Sequence, residues 1–302
     1  MKKIDMIGVP MDFGTSNMGA CTAPSVYRRS GLVAALEAEG HQVNDLGDLH
    51  IPVREEVDIQ DDKLKYLDTI VAVTEELSHI VEGSLDKKNI PLCIGGDHAL
   101  ALGSITGVAA HCQKNDLRLG VIWIDAHGDM NTHETTPSGN INGMPFAALM
   151  GYGHKKLTEL RGFAPKLKAE NCSLIGARCI DRFEKDNIKN AKLNTFTSFD
   201  IEKNGLLNIV ENEIKRLQKT TDFIHVSFDL DVIDPSEAPG VGTPEIGGLR
   251  YREASAIIDM LASYKAIQSL DMNELNPIMD VNNMTAEIGI ELILSAFGKK
   301  IL

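Results

Sequence analysis

Six side chains in this sequence combine the types and spacing that hold divalent cations: His98, Asp125, His127, Asp129, Asp229 and Asp231. They stand in three short motifs, Gly95-Gly96-Asp97-His98, Asp125-Ala126-His127-Gly128-Asp129 and Asp229-Leu230-Asp231, each just after a brief apolar run. In an extended backbone, residues at i, i+2 and i+4 point to the same side. Asp125, His127 and Asp129 can therefore meet at one point, and so can Asp229 and Asp231. Carboxylates gathered at buried strand ends are costly unless a cation neutralises them.

Oxygen and imidazole donors without sulfur suit a hard ion such as Mn²⁺, and zinc, cobalt, nickel and iron are compatible with the same set. Two such ions held close together activate water, which is hydrolytic chemistry. A DxHxD or DxD segment alone is usually a solvated loop. Their joint occurrence with GGDH at successive strand ends is what carries the reading.

Short strands must alternate with helices to place these groups together. Strands are expected at Ile4 to Val9, Ile90 to Ile94, Leu119 to Ile124, Ser173 to Gly176, Phe223 to Phe228 and Ala266 to Leu270. Helical spacing runs through Ser25 to Glu39 and through residues 62–84, where Leu64, Leu67, Ile70, Val71, Val73 and Leu77 repeat on one face. Further helices are expected after Leu100 and around residues 204–219, 251–263 and 283–297. This alternation argues an α/β fold with a parallel sheet covered on both faces. In such sheets functional groups collect beyond the carboxyl ends of the strands. No linker, low-complexity tract or repeat divides residues 1–302, which read as a single domain.

Composition narrows the partners. Hydrophobic residues make up 43% of 302, while aromatics are only 5%, so the core is mostly aliphatic. A formal net charge of −13 argues against nucleic acid, whose phosphates need clustered Lys and Arg. Cys21, Cys93, Cys112, Cys172 and Cys179 form no CxxC pair and are odd in number, as expected for reduced thiols in a cytoplasmic protein. The N-terminus MKKIDMIGVP reads as a first strand and not as a signal peptide. No apolar run approaches the roughly 18–20 residues that would span a membrane.

Longer stretches around the motifs add a resemblance. GGDHALALGS (95–104), DAHGDMNT (125–132), SGNINGMP (138–145) and SFDLDVIDPSEAPGVGTPEIGGL (227–249) resemble the ureohydrolase superfamily, and arginases most closely. The likeness runs from IGVPMDFG (7–14) to SLDMNELNP (269–277). It implies a three-layer α/β/α domain and two Mn²⁺ per subunit. One ion would be held by His98, Asp125, Asp129 and Asp229, the other by Asp125, His127, Asp229 and Asp231. It also implies hydrolysis of a guanidinium group, with Asp129 passing a proton to the leaving amine and Glu274 pairing with the guanidinium. A carboxylate suits that planar fork. Asn131, Ser138 and Asn140 match positions that contact an α-carboxylate, Asp181 faces the α-amino group, Glu184 lies nearby and Thr243 lines the pocket. Agmatine lacks the carboxylate, so the SGN triplet favours L-arginine, cleaved to L-ornithine and urea. A homo-oligomer, trimer or hexamer, is implied as well.

One position departs from the pattern. Arginases carry His two residues after the SGN asparagine, where this chain has Asn142. Asn forms hydrogen bonds but cannot titrate, and loss of a general acid–base group costs about 10²- to 10⁴-fold. Asn142 is thus expected at the reacting centre, with reduced turnover. His133 is the nearby histidine that could take over proton transfer. Two readings compete with an arginase: a ureohydrolase for agmatine, guanidinobutyrate or formiminoglutamate, and a metal-binding pseudoenzyme. A two-metal phosphoesterase is disfavoured, since no Lys or Arg stands beside the ligand motifs to clamp a phosphate.

Overall fold

Apolar runs too short for helices become the middle of one sheet. The computed structural model describes residues 1–300. Its strands are β1 (Lys3–Gly8), β2 (Gln42–Asp48), β3 (Ile90–Ile94), β4 (Leu119–Ile124), β5 (Cys172–Ala177), β6 (Asn194–Thr197), β7 (Phe223–Asp229) and β8 (Ser269–Asn273). All pair in parallel, in the order β2-β1-β3-β8-β7-β4-β5-β6.

Helices cover both faces, giving the three-layer α/β/α domain expected. In chain order they are α1 (Ala23–Arg29), α2 (Leu32–Ala38), α3 (Leu67–Asp86), α4 (Ala101–Lys114), α5 (Pro145–Leu149) and α6 (Lys155–Thr158). Then follow α7 (Glu184–Ala191), α8 (Ser198–Asn204), α9 (Leu206–Thr220), α10 (Tyr251–Ser263) and α11 (Met284–Phe297). Alternation along β4 shows how the core divides. Val121 and Trp123 join a cluster with Ile70, Leu77 and Ile105 of α3 and α4. Ile122 and Ile124 join Val210, Ile214 and Ile257 of α9 and α10. Each such buried aliphatic side chain contributes about 1.5–3 kcal/mol.

The helix that leads out of the His98 turn is seated by glycine. A Cβ on Gly103 would lie 2.6 Å from the Thr74 carbonyl oxygen, and one on Gly107 2.5 Å from that of Ser78. Only hydrogen at these positions lets α4 close onto α3.

The structure revises several expected boundaries. Residues 25–39 form two helices, α1 and α2, because Gly31 takes φ 85° between them. The helix expected over 62–84 begins at Leu67, after Tyr66 at φ 56°. The last strand is Ser269–Asn273 and not Ala266 to Leu270. Strands β2 and β6, both at sheet edges, carry no apolar run. Among the described residues, no helix is long and apolar enough to cross a membrane.

Candidate metal centre

The motifs reach one place because β3, β8, β7 and β4 lie side by side and point the same way. Beyond β3, Gly95 and Gly96 take φ of 85° and 76° and turn the chain into Asp97. The Asp97 carboxylate accepts from the backbone N–H groups of Gly14 at 2.8 Å and Ala99 at 2.9 Å, which sets the turn bearing His98. Beyond β4, the N–H of His127 donates to Asp125 Oδ1 at 2.6 Å; beyond β7, the N–H of Asp231 donates to Asp229 Oδ1 at 2.7 Å. Both motifs therefore turn at once and do not stay extended, and Asp129 adopts φ 51°. The donors come together in two adjoining groups that each draw on both motifs, not at one point per motif, and side-chain-capped turns produce them.

Three aspartate oxygens surround one nitrogen of His98. Its Nδ1 lies 3.0 Å from Asp125 Oδ2, 3.1 Å from Asp129 Oδ2 and 3.0 Å from Asp229 Oδ2. None is aligned to take a hydrogen bond, so His98 Nδ1 and Asp129 Oδ2 are buried without partners. A second group adjoins it: His127 Nδ1 is 2.9 Å from Asp231 Oδ2 and 3.5 Å from Asp125 Oδ1. Asp125 thus offers one oxygen to each group. Asp229 offers Oδ2 to the first, while its Oδ1 holds the turn.

Electrostatics ask for positive charge here. Burial opposes charge on His98, yet the surrounding aspartates outweigh it and raise its pKa well above the ordinary value. Burial raises the carboxyls of Asp129 and Asp229, and neighbouring carboxylates raise them further. Converging nitrogen and oxygen lone pairs, carboxylates that resist ionising together, and unpartnered buried donors fit divalent cations well.

Residues outside the motifs hold the donors. The Trp123 Nε1–H donates to Asp125 Oδ2 at 2.9 Å, and its ring stacks between His98 and Phe146, with centroids 4.3 Å and 4.4 Å away. His98 Nε2 is 2.9 Å from Ser227 Oγ, whose hydroxyl donates to Asp271 Oδ1 at 2.5 Å. Asp271 also meets Ser104 at 2.5 Å, His225 at 2.9 Å and Asn273 at 2.7 Å. Burial works against its charge, but His225 and these donors hold its pKa at about 2. Ser104, Ser227, Asp271 and Asn273 fall inside the longer family-like stretches, but nothing there marks them as partners of one another. The available signal is alternation: Ser227 precedes Asp229 by two on β7, and Ser269, Asp271 and Asn273 alternate on β8.

Glu274 follows β8 at φ 63°, a conformation that costs a non-glycine residue about 1–3 kcal/mol. Its Oε1 accepts from the His98 N–H at 2.8 Å and from Asn142 Nδ2 at 3.4 Å. Its Oε2 is buried and unpartnered. Burial, opposed by the His98 N–H and aided by the charge of Asp231, brings this carboxyl up to about 7.

The remaining expected site residues lie on the surrounding loops and, for Glu184, at the start of α7. Asn131 Nδ2 donates to Asp181 Oδ2 at 2.9 Å, and Thr243 Oγ1 donates to Asp231 Oδ2 at 3.2 Å. Ser138 Oγ accepts from the Asn140 N–H at 3.2 Å, and the Asn140 amide pairs with Ser16 at 2.9 Å. Ser16 went unassigned from the sequence, since a lone serine 124 positions away gives no cue. Glu184 is turned inward, accepting from the N–H groups of Met130 and Asp181 at 2.9 Å each, so it braces two loops. His133 lies against His154, with ring centroids 5.6 Å apart.

Known proteins are similar to this chain in sequence and in fold. The sequence profile of the arginase family matches residues 2–298. An arginase of Brevibacillus brevis is 44% identical over 301 residues, covering 100% of this chain and 99% of that protein. The crystal structure of Bacillus caldovelox arginase superposes with a TM-score of 0.95 at 43% identity, covering 100% of both chains. A formimidoylglutamase from Bacillus subtilis gives 0.78 at 25% identity, over 98% of this chain and 86% of that one. On sequence and structure alike, the chain belongs to the arginase family.

Proposed function

We propose that this chain hydrolyses L-arginine to L-ornithine and urea, with two divalent cations, Mn²⁺ foremost, held by His98, Asp125, His127, Asp129, Asp229 and Asp231. The observation that carries the reading is the Glu274 carboxylate. It is fixed against His98 by one oxygen, while the other is buried without a partner beside the donor cluster. A planar guanidinium cation supplies the N–H pair that such an oxygen lacks. The bound cations supply an activated water and charge stabilisation.

The protein's own groups do the rest. Glu274 orients the guanidinium carbon toward the cluster. Asp129 Oδ2, unpartnered at the same point, carries a proton to the departing amine. Asn131, Ser138 and Asn140 receive the α-carboxylate, and Asp181 the α-amino group. Glu184 keeps Asp181 in place, and Thr243 closes the wall beside Asp231. Asn142 touches Glu274 but cannot carry a proton, so turnover is slow.

Product release decides the matter, measured as urea from L-arginine, agmatine and guanidinobutyrate and as formamide from formiminoglutamate, with and without added Mn²⁺. The expected result is Mn²⁺-dependent urea from L-arginine well above the product from the other three. Greater release from agmatine would overturn the substrate, and none from any compound at full loading would leave a binding protein.

A further inference from the structure

A second donor set lies on the outer side of His127. Its Nδ1 faces Asp125 and Asp231, whereas its Nε2 faces Glu245, with Oε1 3.9 Å away. Nitrogen, Cys179 Sγ and a Glu245 oxygen all lie within 4.8 Å of one another. All three residues are partly exposed, unlike the buried cluster beneath them.

The backbone holds these donors together. Cys179 follows β5, and its N–H donates to the Ala126 carbonyl at 3.0 Å, next to His127. The adjacent Arg178 guanidinium donates to the carbonyls of Asp231 at 2.7 Å and Glu245 at 2.8 Å. One arginine therefore ties the Glu245 loop to the segment bearing the inner ligands.

We propose that Cys179, Glu245 and Nε2 of His127 form a separate site for a thiophilic divalent cation, Zn²⁺ or Cd²⁺, whose binding stops the enzyme. Zinc bonds of about 2.0–2.3 Å put tetrahedral donors roughly 3.5 Å apart. Small side-chain rotations reach that from the observed spacing. Sulfur selects Zn²⁺ and Cd²⁺ over Mn²⁺, which sets this site apart from the sulfur-free cluster. Three protein donors leave a fourth position for water. The cation forms bonds to the Cys179 sulfur, a Glu245 oxygen and Nε2 of His127; the thiol proton leaves to solvent and the ring proton moves from Nε2 to Nδ1, with no change of oxidation state. Nδ1 then has no lone pair to offer, so His127 is lost to the inner metal.

The test is a Cd²⁺ titration of the Mn²⁺-loaded protein, following the ultraviolet thiolate-to-cadmium charge-transfer band alongside urea release. One Cd²⁺ per chain should bring up the band and abolish turnover together, and dithiothreitol, which takes up Cd²⁺ through its own thiolates, should restore turnover. Cys179→Ser should lose the band and resist inhibition while keeping its Mn²⁺-dependent activity. Glu245→Gln should weaken Cd²⁺ binding about tenfold, and Cys21→Ser should leave the band intact. A band that survives in Cys179→Ser overturns the site. So does equal inhibition of Cys179→Ser, because Cd²⁺ would then be displacing Mn²⁺ directly. The band reports binding whatever the substrate proves to be.

Discussion

The hydroxyl of Ser227 donates to Oδ1 of Asp271, and that bond determines which nitrogen of His98 is left for a cation. An ionised carboxylate has no hydrogen to give, so the single Ser227 hydrogen points to Asp271. His98 Nε2–H must then donate to Ser227 Oγ, which leaves Nδ1 facing the aspartates as the nitrogen open to a cation. Partners of this kind usually affect metal affinity or activity 10- to 100-fold. We predict that Ser227→Ala and Asp271→Asn each weaken Mn²⁺ binding by about that factor. Calorimetric titration measures it directly, and unchanged affinity in both variants would refute the relay.

Gly242 gives Glu274 its place. A Cβ there would sit 2.8 Å from Glu274 Oε2, the unpartnered oxygen. We predict that Gly242→Ala pushes this carboxylate aside, raising KM and lowering kcat/KM for the guanidino substrate at least about tenfold, equivalent to about 1.4 kcal/mol. The melting temperature should change little, since a side-chain end moves and no backbone does. Unaltered kinetics with a lowered melting temperature would count against this role for Glu274.

At position 142 the expected change is a gain. Asn142 Nδ2 lies 3.4 Å from Glu274 Oε1, so a ring at this position stands where it can exchange protons near the substrate. Asn142→His should raise L-arginine turnover toward the ~10²-fold typical of general acid–base groups. Manganese content should not change. A purified variant with equal or lower kcat would sink the idea.

Glu184 makes stability depend on pH. Burial, partly offset by its two backbone N–H partners, raises its carboxyl from 4.5 to about 7. A raised folded-state pKa means the folded chain binds the proton more tightly, so this stabilisation is complete below about 4.5 and is lost as pH climbs to about 7. The swing is on the order of 3 kcal/mol. Glu184→Gln carries no titrating group here, so its melting temperature should gain on that of the parent protein between those pH values. Parallel melting curves across the range would contradict the shift.

Legibility followed burial. Runs such as LGVIWI in β4 declare themselves because both of their faces are covered. QVNDLGD in β2 and NTFT in β6 do not, because an edge strand can be polar and short. In β8, Leu270 and Met272 pack into the core while Ser269, Asp271 and Asn273 form a buried polar face, and that mixture displaced the expected strand toward Ala266. The candidate cation ligands stood out because each motif sets two or three donor side chains close together in sequence. Trp123, Asp271 and Ser16 did not, since their partners arrive from segments that only folding brings near.

The strand order has a consequence for how the protein is made. The last strand in the chain, β8, is fourth in the sheet, bonded to β3 on one side and β7 on the other. Until residues 269–273 leave the ribosome, no strand pairing joins β2-β1-β3 to β7-β4-β5-β6, and His98 stands on one side of that gap with the candidate aspartate ligands on the other. The ligand set therefore stays open throughout synthesis of the earlier strands. A nascent chain cannot capture metal in its finished geometry until this keystone has slid between the two halves.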